Sequence, residues 1–377
     1  MTAVKPFAIE VPDEVLDDLH RRLDATRWFD PLPGAGWEEG TDLDYLKELC
    51  RYWRHDYDWR AVEAQLNLFP QYTTTIDNQR IHFIHARCRN PDAMALVIHH
   101  GWPGSITEFA KVIEPLREHF HVVCPSLPGY GFSGPTSEPG WTPRRMAAAS
   151  LELMSRLGYD RFGAQGGDWG AMVTTQMALQ APERLTGIHL NLIIAPEPPP
   201  GSVRDLTDEE RAALSEGRTR NLAERGYRVQ QATRPQTLSV GLNDSPAGLA
   251  AWIVEKFLVW SDIGPDNDIE ASFTKDELLT NVMVYWVTGT IASANRLYYE
   301  TRIGGRGASA PDRQVEVPTA YARFPGDGIF PARPWVEYWY NIVRWTEMPR
   351  GGHFASLEAP DLYIDDVVAT FGELGQS

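Results

Sequence analysis

The sequence predicts an α/β protein whose mostly parallel central sheet is preceded by a helical extension and interrupted by a helical insertion. Two observations predict this. From about residue 79, short apolar β-rich runs alternate with helix-like segments, the pattern of a parallel sheet with helices on both faces. The four-proline stretch APEPPPGS at 195–202 then breaks the alternation, and helical character persists until strands return near residue 317. At 377 residues the chain is too long for one small core, which suits such a division.

The elements follow in order. Residues 1–75 read as helices and loops wrapped outside the core, because VPDEVLDDLHRRL and LDYLKELCRYW carry apolar residues at helical spacing. The Pro/Gly-rich DPLPGAGWEEG between them is a loop. Residues 76–195 form the first part of the core, with strands in RIHFIHARC, ALVIHH, HVVCPSLPG, RFGAQGG and TGIHLNLII and a helix in ITEFAKVIEPLREHF. Residues 196–305 form a helical cap from DLTDEERAALSEGRTRNLAERG, SPAGLAAWIVEKFLVW and TKDELLTNVMVYWVTGTIASANRLYYE. Residues 306–377 complete the core with strands in VPTAYARF and VRWTEMP and the closing helix APDLYIDDVVATFGEL. No internal repeat is visible.

Composition narrows the classes of partner. Hydrophobic residues make up 43% and aromatic residues 11%, as in a well-buried globular protein. A net charge of -16 argues against nucleic acid and anionic membrane surfaces, which need clustered Lys and Arg. Cys50, Cys88 and Cys124 are odd in number and widely spaced, so they imply no disulfide framework and fit a reducing compartment. The N-terminus lacks a signal-peptide apolar core, and no apolar run of about eighteen residues exists to span a bilayer. A soluble, cytoplasmic protein is expected, with a homodimer left open, and the excess of Arg over Lys points to a bacterial genome.

In an open parallel sheet a ligand site lies at the carboxyl ends of the strands. HHGWPGS (99–105), GGDWG (166–170), FPGDGIF (324–330) and PRGGHF (349–354) fall at such ends. Glycines two before and two after Asp168 suit a sharp strand-to-helix turn that usually presents a serine. Alone, Asp168 reads as a turn former. The order Asp168, Asp327, His353 is that of nucleophile, acid and histidine in α/β-hydrolases. A carboxylate is anionic at neutral pH without a base, and it can displace a leaving group from an sp3 carbon to form an alkyl ester. Water attacking the Asp168 carbonyl carbon would cleave that ester, with His353 as base and Asp327 holding its ring. The backbone N–H groups of Trp102 and Trp169 are the candidate oxyanion donors, each typically worth about 3 kcal/mol of barrier.

Together HHGWPGS, GAQGGDWGA, LNDSPAGLAAWIVEKF, LLTNVMVYWVTGTI and RGGHFASLEAPDL resemble the microsomal-type epoxide hydrolases of the α/β-hydrolase superfamily. The resemblance covers nearly the whole chain. It implies an α/β-hydrolase fold, conversion of an epoxide to a vicinal diol, Asp168 as nucleophile and His353 as general base. Asp327 takes an acid position often held by glutamate. Two cap tyrosines that hold the epoxide oxygen match Tyr227 in RGYRVQ and Tyr298 in NRLYYE, with Tyr299 as the neighbouring alternative. A phenol of pKa about 10 donates readily to a far more basic alkoxide. Alone, either tyrosine reads as a core aromatic with a satisfied hydroxyl. The family's mammalian members carry a membrane anchor that this sequence lacks, which implies a soluble bacterial form acting on an aryl, styrene-oxide-like epoxide or a natural-product intermediate such as occurs in antibiotic biosynthesis. Trp252, Phe257, Trp260 and Trp286 either line an aromatic pocket or pack the cap.

Two other readings compete. A haloalkane dehalogenase uses the same aspartate chemistry, but the pair Tyr227 and Tyr298 suits an alkoxide rather than a halide. A non-catalytic ligand-binding homologue conflicts with the complete set of nucleophile, acid and base. The expected partners are a small epoxide and water. No cofactor and no metal are implied, since His82, His85, His119 and His121 lack carboxylate or cysteine partners at ligand spacing. PGYGF at 128–132 lacks a phosphate-binding fingerprint and reads as a turn near the site.

Overall fold

The computed structural model of the protein describes residues 3–305, 307 and 310–375. Among them nine strands form one sheet: β1 (Lys5–Phe7), β2 (Gln71–Ile76), β3 (Gln79–Ala86), β4 (Ala95–His99), β5 (His121–Pro125), β6 (Phe162–Gly166), β7 (Leu185–Leu190), β8 (Val315–Arg323) and β9 (Tyr340–Glu347). Their order across the sheet is β1-β2-β3-β5-β4-β6-β7-β8-β9. The pairs from β5 through β9 are parallel, and β3, β2 and β1 extend that array through successive antiparallel pairings.

β1 and β2 correct the expectation that the first 75 residues are helices and loops. QYTTTI is a β-branched and aromatic run with few strongly apolar residues, so hydropathy alone passes over it. Its pairing with β3 is set by Asp77 and Asn78, at φ 50° and 59°, the left-handed pair a two-residue hairpin needs. The expected helix over ITEFAKVIEPLREHF also divides, into a 3₁₀ turn at Ile106–Phe109 and a short helix at Ile113–Arg117. Both pieces bury their apolar residues, so the burial pattern survives the break.

The central parallel strands are buried along their whole length, as a sheet covered on both faces demands. The helix Asp168–Gln180 is buried from Trp169 to Leu179 except for half-buried Met172, against the helix Pro143–Arg156 and the sheet. Between β7 and β8 the chain leaves the sheet and forms helices Asp208–Glu224, Gly226–Thr233, Pro235–Asp244, Pro246–Val259, Lys275–Thr288 and Ile291–Gly304. The first of these starts with a capping box, Thr207 with Glu210, yet buries no residue fully.

The N-terminal segment is tied to these inserted helices. Thr41 Oγ1 donates to the Ala251 carbonyl at 2.7 Å, Tyr52 Oη to Asp276 at 2.9 Å, and Arg22 pairs with Asp244 at 2.7 Å. Among the described residues no helix is long and apolar enough to cross a membrane.

Candidate active site

β4 sits between β5 and β6, so the chain leaves β4 and β6 in opposite directions along the sheet. This is the switch point at which an open sheet leaves a crevice. Trp102 follows β4 and Asp168 follows β6, while Asp327 and His353 follow β8 and β9. The fold therefore gathers four loops separated by up to 251 residues of sequence, from Trp102 to His353.

Asp168 opens its helix at φ 46°, a left-handed conformation rare outside glycine. The glycines around it make that turn possible. A Cβ on Gly166 would stand 2.2 Å from the Gly170 carbonyl oxygen, and one on Gly170 would stand 2.1 Å from that of His99. Gly101 leaves room for the carboxylate itself, because a Cβ there would meet Asp168 Oδ1 at 2.2 Å.

The Trp102 backbone N–H donates to Asp168 Oδ1 at 2.7 Å, and the Trp169 N–H also donates to this carboxylate. Its second oxygen, Oδ2, lies 3.5 Å from His353 Nε2. On the other side of that ring, His353 Nδ1 and Asp327 Oδ1 are 2.7 Å apart. Burial raises the Asp168 carboxyl above the usual range, and the charge on His353 and the two N–H groups offset part of that rise. Burial alone would lower His353, but the Asp327 carboxylate and its hydrogen bond outweigh it, helped by Asp168 and Glu108, and hold the imidazole at about 9. In the unmodified site His353 is thus a cation beside Asp168.

Tyr227 and Tyr298 face each other over this carboxylate, with ring centroids 5.8 Å apart and nearly perpendicular. Trp102 stacks flat on Tyr227 at 5.1 Å, and Trp169 meets Tyr298 edge-on at 4.7 Å. Burial raises both phenols, so they stay protonated across the physiological range. Tyr299 lies apart, lining a different cavity with Pro235 and Glu300 under the Arg302 guanidinium. A narrow cavity of about 60 Å³ joins Asp168, Tyr227, Asp327 and His353 to a mouth formed by Arg220, Asn221, Glu224, Arg225 and Arg228.

Of the four inserted aromatics singled out in the sequence, Trp260 lines that cavity, 4.9 Å from the His353 ring. Phe257 stacks on Phe354, Trp252 donates to Gln231, and Trp286 lies under Arg22. His82 is a satisfied core histidine between Ser126 and Gln71, and His85 bonds Tyr159.

Comparison with known proteins gives the family. The profile described as epoxide hydrolase N terminus matches residues 4–109, and that described as alpha/beta hydrolase fold matches residues 95–360. Epoxide hydrolase 1 of Oryctolagus cuniculus is 37% identical over 98% of this chain and 89% of its own. The chain belongs to the epoxide hydrolases of the α/β-hydrolase superfamily. A Stigmatella aurantiaca protein with a provisional epoxide hydrolase name is 43% identical over 98% of this chain and 85% of its own. Among solved structures, the juvenile hormone epoxide hydrolase of Bombyx mori superposes with a TM-score of 0.90 at 32% identity, covering 100% of this chain and 96% of that one. The Aspergillus niger epoxide hydrolase does so at 0.87 and 30%, covering 99% and 97%.

Sequence reasoning missed three features of this epoxide hydrolase site. Glu108 is an interior carboxyl that interacts with both His353 and Asp168 and is pushed by burial to about 8. A partial signal was present, since Ser105-x-x-Glu108 has the spacing of a capping box: the Glu108 carboxyl accepts from the Ser105 N–H, while Ser105 Oγ accepts from the Thr107 N–H instead. Lys256 is buried beneath Tyr227 and Trp260, its ammonium 4.9 and 5.6 Å from the ring centres. The arginines at the mouth carry no local motif.

Proposed function

We propose that this epoxide hydrolase opens an aryl, styrene-oxide-like epoxide through a covalent ester on Asp168. Asp168 Oδ2 attacks an epoxide carbon, and the C–O bond breaks with its electron pair going to the ring oxygen. Tyr227 or Tyr298 gives that oxygen a proton. Water then attacks Asp168 Cγ while His353 Nε2 removes its proton. The oxyanion forms on Oδ1, the oxygen that the Trp102 N–H holds, with the Trp169 N–H also acting on this carboxylate. Collapse breaks the bond from Cγ to the alkylated oxygen, His353 returns a proton to the departing diol, and the proton left on the regenerated Asp168 carboxyl restores the tyrosinate to a phenol. Residues 196–305 act as the cap that brings both tyrosines over Asp168.

The observation that carries this reading is the split environment of the carboxylate: Oδ1 is held by the Trp102 N–H and Oδ2 is left facing His353 at 3.5 Å. One oxygen is prepared for charge and the other for bond formation. A single turnover of styrene oxide in heavy-oxygen water tests it. The first diol should carry an enzyme-derived oxygen, and solvent oxygen in that first product would refute the ester.

A further inference from the structure

The mouth of the cavity has a charge that the rest of the molecule does not explain. The chain carries a net charge of -16, yet Arg220, Arg225 and Arg228 converge on the opening above Asp168. None of the three has a carboxylate partner among the described residues. Arg220 Nη2 donates to the Val259 and Gly326 carbonyls at 2.7 and 3.2 Å, and Arg228 Nη2 to Asn221 at 2.9 Å. These neutral acceptors hold the Arg220 and Arg228 guanidiniums without cancelling their charge. Glu224, the acid at the mouth, is already engaged with Lys256 at 3.3 Å.

The seat of Arg220 is built for the purpose of holding a guanidinium close to the site. Gly328, at φ 72°, follows Asp327 directly, and a Cβ there would stand 2.7 Å from Arg220 Cζ. A guanidinium lies where any other residue would put a side chain. Planar forks of this kind match the two oxygens of an oxyanion.

Resting on the epoxide reading above, we infer that the site selects epoxides whose far end carries an oxyanion, a carboxylate or a phosphate, gripped by Arg220, Arg225 and Arg228 while Asp168 attacks the ring. The oxirane goes to the floor of the cavity and the anion stays at its mouth. An anionic substrate is drawn past an otherwise repelling surface by this local field.

The test compares kcat/KM of the full-length enzyme for styrene oxide, para-carboxystyrene oxide, its neutral carboxamide and the corresponding phosphate ester. One or both anions should exceed the carboxamide by at least about tenfold at low ionic strength, through KM, and the advantage should shrink at high salt. Which anion gains more identifies the oxyanion. The double variant Arg225→Gln/Arg228→Gln should erase the discrimination, whereas Arg89→Gln, in the loop between β3 and β4 at the N-terminal end of β4, away from the carboxyl-end site, should preserve it. Turnover of styrene oxide and the carboxamide with no preference for either anion overturns the proposal alone. A preference that survives the double variant, or a double variant that lowers kcat equally for all substrates, also overturns it, the latter because the arginines would then tune the catalytic carboxylates. Failure to turn over any of the four would overturn the epoxide reading and this inference with it.

Discussion

Asp168 combines two unfavourable features in one residue, a left-handed backbone and a buried carboxylate. A non-glycine residue held there costs on the order of 1 kcal/mol or more. Asp168→Asn keeps the Trp102 hydrogen bond, tolerates the backbone better and removes the buried charge. It should raise stability by about 1 kcal/mol in urea unfolding and lower turnover of styrene oxide by at least about a thousandfold; a fully active variant would dismiss Asp168 as nucleophile. As the proposed base His353 has a different problem, since an imidazole held at about 9 is already protonated at neutral pH. In the proposed mechanism, esterification resolves it. The ester removes the negative charge of Asp168, one of the groups that raises His353, so the ring can lose its proton when water must be activated. His353→Gln should therefore still alkylate Asp168 but hydrolyse the ester about a hundredfold to ten-thousandfold more slowly. Mass spectrometry should find the protein heavier by one substrate; steady turnover without that adduct would reverse the assigned order of steps.

The strand-turn-helix element from Phe162 to Gln180 is where sequence and site are most directly linked. Gly170 lets the helix pass within van der Waals reach of the β4 end, and a Cβ there would overlap the His99 carbonyl oxygen at 2.1 Å. Backbone cannot yield as a side-chain tip does. Gly170→Ala should cost about 1–3 kcal/mol, read as a lower urea midpoint at unchanged slope; an unchanged midpoint would mean that the turn relaxes freely. This element was legible because glycines at fixed offsets are a local pattern, as were the buried strands β4, β5 and β6. β2 was not, because its run of three threonines, of which only Thr74 is buried, carries no hydrophobic periodicity. Tyr227 and Tyr298 were legible through family resemblance alone. They lie on helices Gly226–Thr233 and Ile291–Gly304, and nothing local says that both turn toward Asp168. The three arginines were missed for the same reason, and Trp260 could be named only as one of four aromatics that line a pocket or pack the inserted helices: their places arise from contacts between elements, which no spacing encodes.

At the scale of the whole molecule, the buried titratable groups divide into two sets that squeeze stability from both sides of neutrality. Burial lowers His82 and His99 to about 3 and His85 and His100 to about 4. These four stay neutral in the fold but take up protons when unfolded below about 6.5, so stability falls as pH falls through that value. The opposite set is raised: burial holds Glu108 at about 8 and Glu358 at about 7, and Asp327 with its neighbours overcomes burial to hold His353 at about 9. A group raised in the fold contributes stability that is full below its unfolded pKa and is lost as pH rises through its folded one. For His353 that window runs from about 6.5 to about 9 and is worth on the order of 3 kcal/mol. The two limbs should meet in a maximum near pH 6.5, with slopes on the order of 1–2 kcal/mol per pH unit on either side. Urea midpoints measured from pH 5 to pH 9 check this, and His353→Gln should remove about one proton from the alkaline slope while leaving the acid limb in place. A stability that keeps rising to pH 9 would show that His353 is not held as a cation in the free enzyme, and with it would go the idea that forming the ester is what releases the base.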